Sequence, residues 1–215
     1  MKITKYGHAC IVLEEQGKKL VIDPGGLTED FGPLEAVTAV VVTHNHVDHF
    51  NTQHLQAIMQ HNSGVQIFGA QEVAQDAQKN NIPVNSVTGG DTATVGPFTI
   101  RFYGDMHALI HENFPPVPHN VGVLVNDTFY YPGDSFTIPD GAPVKTLAVP
   151  ASAPWMKIAE AVDFINLVRP QVCLPTHNAL LSDVGQQFTD NWFKGVCDNI
   201  HAEYHSLTPG ESFEA

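Results

Sequence analysis

The chain has 215 residues, 43% of them hydrophobic and 15% charged. This is an ordinary globular composition, which excludes a disordered chain and supplies a sizeable core. Ten Lys and Arg stand against 23 Asp and Glu, a formal net charge of -13, and no basic patch is present to replace phosphate counterions, so long nucleic acid is not an expected partner. No stretch reaches the ~18 uncharged apolar residues of a membrane span. The opening Met1-Lys2-Ile3-Thr4-Lys5 has no apolar run behind its charge, so no secretory leader is expected. Cys10, Cys173 and Cys197 are odd in number and widely spaced in apolar surroundings, and read as small core residues in a reducing, cytoplasmic setting.

In chain order, Ile3 to Tyr6, Ala9 to Leu13 and Leu20 to Ile22 read as strands, with a polar turn before the third. Ala39 to Thr43 is a valine-rich run suited to a strand buried on both faces. A helix follows, capped by Thr52, with Leu55, Ile58 and Met59 on one side. Val65 to Phe68 is a strand and Gln71 to Lys79 a helix. Thr92 to Val95 with Phe98 to Tyr103, and Val121 to Val125 with Phe129 to Tyr131, read as two hairpins. Lys145 to Val149 and Val172 to Leu174 are strands, and Lys157 to Val168 and Val184 to Ile200 are helices. Strands dominate early and alternate with helices in both halves, which predicts an α/β domain over residues 1–215, two sheets with helices outside.

The chemistry concentrates in Thr43-His44-Asn45-His46-Val47-Asp48-His49, just after the buried strand. Alternating side chains let His44 and His46 reach one ion, while Asp48 and His49, on the following turn, reach another. Neutral imidazole and carboxylate suit zinc and its neighbours, and the preceding strand supplies the rigidity a ligand set needs. A lone His-x-His would be an ordinary polar loop; the combined His-x-His-x-Asp-His is far more specific.

This motif resembles the signature of the metallo-β-lactamase fold superfamily. The resemblance implies an αββα sandwich of two mixed β-sheets flanked by helices, with a two-metal site at one sheet edge. The family's later landmarks occur in order as His107, Asp134 and His177. His111 and His119 are rivals for the place of His107, which is preferred because it follows a strand closely. The resemblance implies His44, His46 and His107 on a first ion, Asp48, His49 and His177 on a second, and Asp134 bridging. The ions expected are zinc, with manganese or iron(II) as alternatives.

Gly7-His8-Ala9, Ile22-Asp23-Pro24, Met106-His107-Ala108 and Pro132-Gly133-Asp134-Ser135 look like the small stand-alone metal-dependent hydrolases related to ascorbate-phosphate lactonases. His8 and Asp23 then read either as residues orienting the ligands or as a strand-end His and an Asx-Pro turn. His46 stands where the redox di-iron branch carries Glu, which favours hydrolysis over oxygen reduction. The implied activity is attack of a metal-bridging hydroxide on a small ester, lactone or phosphate ester, with Asp48 also moving protons. An RNA-processing nuclease and a non-catalytic metal-binding regulator are the alternatives. His111, Glu112, Phe114 and Pro115 to Pro118 follow His107 closely and read as a flap beside the metals or as a proline-stiffened surface loop.

Overall fold

Apolar residues alternating along the first half pair it into one mixed sheet, because one face of every strand must be covered. Its strands are β1 (Lys2–Lys5), β2 (Ile11–Glu15), β3 (Lys18–Ile22), β4 (Val37–Val42), β5 (Gln66–Gly69), β6 (Asn85–Ser86) and β14 (Ser212–Glu214), in the order β14-β1-β2-β3-β4-β5-β6. The second sheet comprises β7 (Thr92–Val95), β8 (Phe98–Tyr103), β9 (Gly122–Val125), β10 (Phe129–Tyr131), β11 (Thr146–Pro150), β12 (Val172–Thr176) and β13 (Glu203–Tyr204), running from β13 at one edge to β7 at the other. The helices are α1 (Thr52–His61), α2 (Gln71–Gln78), α3 (Ile158–Val168) and α4 (Asp183–Ile200). The structure is a computed structural model that describes residues 1–29, 32–115 and 117–215.

The period-2 alternation of strands divides the core into layers. Val123, Val125, Phe129 and Tyr131 face the first sheet and pack with Leu13, Leu20 and Val41, in a cluster that extends to Leu55 and Ile58 of α1 and Val73 and Ala77 of α2. Their neighbours Leu124 and Tyr130, with Leu147, Val149 and Cys173, face the other way, against Ala161, Phe164 and Ile165 of α3 and Phe193 of α4. This is the expected αββα sandwich. All three cysteines are buried and free, as core residues should be.

Strand direction places the functional residues. β2 is antiparallel to both β1 and β3, and β4 is parallel to β3, so β1, β3 and β4 run the same way. By the same reasoning β8, β10, β11 and β12 share one direction. Carboxyl ends of strands are where α/β sheets expose loops for chemistry. His8, Asp23 and His44 follow β1, β3 and β4, while His107, Asp134 and His177 follow β8, β10 and β12. Two backbone bonds stitch the sheets together at this end: Val121 N–H donates to the Thr43 carbonyl at 3.1 Å, and His177 N–H to the His8 carbonyl at 2.7 Å.

The elements expected from the sequence all form, most of them with shifted ends. The cap of α1 is Asn51, not Thr52: Asn51 is extended, and its side chain accepts from the Gln53 and His54 amides at 2.8 and 3.3 Å. Thr52 is already inside the helix, where its hydroxyl lies too late to reach those amides. Strands β6, β13 and β14 were not expected, because runs of two or three residues carry no period to detect.

The loop after β3 runs directly beneath the Val47–His49 turn. Gly26 N–H donates to the Val47 carbonyl at 2.6 Å, and a Cβ on Gly25 would overlap the Asp48 carbonyl and the His49 nitrogen. We expect Gly25→Ala to destabilise the protein by about 1–3 kcal/mol, the usual cost of overpacking. Gly195→Ala, in α4 with open space around its Cβ, should instead stabilise by about 0.5–1 kcal/mol. Urea unfolding of the two variants checks this; equal effects would contradict it.

Candidate metal centre

Seven histidines and aspartates predicted from the sequence come together, and His8 joins them. In one group His44, His46, His107 and Asp134 each offer an atom within 4.8 Å of the others; in the second the same holds for His8, Asp48, His49 and His177. His8, His44 and His49 are fully buried, and His107, Asp134 and His177 nearly so. His46 and Asp48 are only partly covered, so the site opens to solvent on their side.

Asp134 lies between the groups. Its Oδ1 is 3.2 Å from His49 Nε2, and its Oδ2 is 3.3 Å from both His107 Nε2 and His177 Nε2 and 3.9 Å from His44 Nε2. Asp48 Oδ2 stands 3.3 Å from His177 Nε2 and 3.7 Å from His49 Nε2. Asn120 holds the turn that carries Asp134: its side-chain oxygen accepts the Asp134 amide at 3.0 Å, and its NH2 donates to the Pro132 carbonyl at 2.9 Å. The indole N–H of Trp155 donates to Asp134 Oδ2 at 2.9 Å. His177 has φ of +58°, an uncommon backbone for a residue with a side chain.

Hydrogen bonds around the rings decide which nitrogens face inward. The Nδ1 of His49 donates to Asp23 Oδ2 at 2.7 Å, that of His107 to the Ala108 carbonyl at 2.5 Å, and that of His177 to the Ser152 carbonyl at 2.6 Å. Thr43 Oγ1 donates its proton to Asp23 Oδ2 at 2.7 Å, so at 3.0 Å it can only accept from His44 Nδ1. All four rings therefore turn Nε2 inward. His46 is the exception, presenting Nδ1 at 3.1 Å from His44 Nε2.

The charges are strongly coupled. Burial disfavours the Asp48 anion, but the His177 and His8 rings beside its carboxylate overcome that and hold its pKa far below the carboxylate range. Asp134 is held down in the same way, by the charge of His49 and by His107 and His177. Burial opposes protonation of His49 and His177; the adjoining carboxylates outweigh it, raising His49 well above its ordinary value and pushing His177 up to about 9. Burial, followed by the nearby imidazoles, makes His44 and His46 weaker bases. The nitrogens whose protonation the carboxylates favour are the ones for which a cation would compete.

The residues fit divalent ions. Buried side-chain atoms are rarely left without a hydrogen-bond partner. Here the Nε2 atoms of His49, His107 and His177 and the Oδ1 of Asp134 all lack one, in one small volume. Imidazoles with the opposite nitrogen anchored, together with carboxylates, make up the donor set that zinc and its neighbours take.

Of the remaining candidates, Asp23 is completely buried and holds the His49 ring through its Nδ1. His119, the rival of His107, turns away: its Nδ1 pairs with Glu72 of α2 at 2.8 Å. His111 and Glu112 are exposed and outside both groups. Trp155 and Asn120 were not anticipated, since nothing in their local sequence marks a partner for Asp134.

A family model for the β-lactamase superfamily domain matches residues 2–177. A Mycobacterium tuberculosis protein, Rv0786c, is 33% identical over 187 residues, covering 85% of this chain and 86% of that protein. A UPF0173 metal-dependent hydrolase of Carboxydothermus hydrogenoformans is 28% identical over 232 residues, covering 98% of each. Igni18, a metallo hydrolase of Ignicoccus hospitalis, superposes with a TM-score of 0.73 at 22% identity, over 100% of this chain and 98% of its own. The chain thus belongs to the β-lactamase superfamily domain family and has the metallo-β-lactamase fold.

Proposed function

We propose that this chain hydrolyses a small ester, lactone or phosphate ester at a pair of divalent ions. His44, His46 and His107 would hold one ion, Asp48, His49 and His177 the other, with Asp134 shared. The observation that carries this reading is the convergence of unpartnered buried atoms from His49, His107, His177 and Asp134 on one point. Zinc suits these donors, with manganese and iron(II) as alternatives. Such ions, when bound, lower the pKa of a water toward ~7 and polarise the oxygen that gains charge.

The chain's own groups do the rest. Asp48 is ionised and partly open to solvent, so its carboxylate is in position to accept the nucleophile's proton and hand it to the leaving group. The Trp155 indole and the Asn120 side chain keep Asp134 from rotating out of place. Beside His46 lies a cleft of about 370 Å³ lined by Ile110, Phe114, Pro115, Val117 and Pro118. Phe114 is 63% exposed, so the segment after His107 offers an apolar wall to a substrate and supports the flap reading; Pro116, within that segment, lies outside the described residues. The net charge of -13 gives no long-range attraction for a polyanion, which favours a small substrate over RNA.

Two outcomes test this reading. With zinc or manganese, the chain should turn over members of a panel of lactones, carboxyl esters and small phosphodiesters and leave structured RNA intact at low salt. RNA cleavage without small-ester turnover would overturn the substrate class, and no turnover at all would favour a metal-binding regulator. Second, His107→Ala should weaken metal binding by more than about 100-fold, beyond the scale of losing an outer partner. His119→Ala should leave metal affinity intact and cost at most about 1 kcal/mol of stability, as a surface pair does. Metal titration followed by urea unfolding separates the two variants, and the reverse pattern would show that the ligand sets are wrongly drawn.

A further inference from the structure

We propose that His8 is a neutral hydrogen-bond donor of this site and not a metal ligand: its Nε2–H binds an anionic oxygen of the substrate beside the Asp48–His49–His177 group. The proposal rests on the hydrolase reading for the identity of that oxygen, and on geometry for the rest.

Proximity alone makes His8 look like one more ligand. It is fully buried, its Nε2 is 3.3 Å from Asp48 Oδ2, and its ring centroid is 4.0 Å from that of His177. The hydrogen bond on the far side of the ring points the other way. The Ala179 amide donates to His8 Nδ1 at 3.2 Å. A backbone amide only donates, so His8 Nδ1 must hold a lone pair. A neutral imidazole carries one ring proton, which is therefore on Nε2, the atom facing the site. Coordination through Nε2 would require either an imidazolate or the loss of the Ala179 bond. His44, His49, His107 and His177 do the reverse: each donates through Nδ1 and turns the lone pair of Nε2 inward.

The Ala179 amide is held in place. His177 N–H donates to the His8 carbonyl at 2.7 Å, and buried Lys5, on the same strand that leads to His8, donates from Nζ to Asn178 Oδ1 at 2.7 Å. The loop 177–179 is thus tied to the start of the chain on both sides of Asn178, by the His177 amide and by Ala179, and at Asn178 itself by Lys5. On the inner side, Nε2 has no partner in hydrogen-bonding alignment, Asp48 included. A buried, oriented N–H with no acceptor is poised for one that arrives with the ligand, which is how preorganised donors stabilise developing negative charge.

The test uses the full chain loaded with zinc. In nitrogen NMR of 15N-histidine-labelled protein, His8 should be protonated on Nε2 and bare on Nδ1. His8→Ala should keep the wild-type zinc stoichiometry and affinity but bind inorganic phosphate roughly 10- to 100-fold more weakly, the loss expected for one hydrogen bond to a charged acceptor. His8→Gln, which keeps an N–H of similar reach, should recover part of that loss. Loss of a zinc ion in His8→Ala, a bare Nε2, or unchanged phosphate affinity would each overturn the assignment. If phosphate binds through His8 while no ester is hydrolysed, the donor role stands and the hydrolase reading falls.

Discussion

The end of the molecule that carries the candidate metal centre depends on one buried carboxylate. Asp23, at the end of β3 with φ of +47°, accepts from the Thr43 amide, the Thr43 hydroxyl and His49 Nδ1, each at 2.7 Å. An unpaired buried charge would be very costly, and here three donors offset it. The arrangement reaches further than its own contacts. Because the Thr43 hydroxyl gives its proton to Asp23, it must accept from His44, which turns His44 Nε2 inward. One carboxylate thereby orients a ring in each of the two groups. It also joins β3 to the segment after β4, the two parallel strands whose ends carry most of the chemistry.

The same logic extends across the sandwich. From the second sheet, Asp134 faces imidazoles of both groups, and Trp155 and Asn120 limit its rotation. Partners that hold a ligand's far side raise its basicity and lower the entropy lost on binding. Four of the imidazoles have such a brace, two from backbone carbonyls and two from side chains. His8 stands apart because its brace is a donor instead of an acceptor. The exposed side of the site, at His46 and Asp48, adjoins the apolar cleft containing Phe114. This division gives rigid, buried anchoring on one side and access on the other.

Much of this was legible in the sequence where the signal was local. His44, His46, Asp48 and His49 lie within six residues, and the valine run before them identified the strand that presents them. The hairpin β7–β8 was readable to the residue, because alternation around a Gly-Pro turn leaves little freedom. What could not be read depends on contacts distant in sequence. His107 and His119 both flank strands, and only the position of Glu72 on α2 decides that His119 turns away. Asp23 sat in an Asp-Pro pair with two readings until Thr43 and His49 were placed around it. Trp155 and the amide of Ala179 act through hydrogen bonds that span 21 and 171 residues, and such pairs leave no periodic trace.

The account stands or falls on where cations bind. A crystal structure of the zinc-loaded chain, with anomalous scattering recorded on either side of the zinc edge, tests it most directly. Two peaks should appear, separated by the roughly 3.5–4 Å of a binuclear site. One should be ringed by His44, His46 and His107, the other by Asp48, His49 and His177, with Asp134 between them and His8 outside bonding distance. A single peak, or ions bound away from Asp134, would contradict the account.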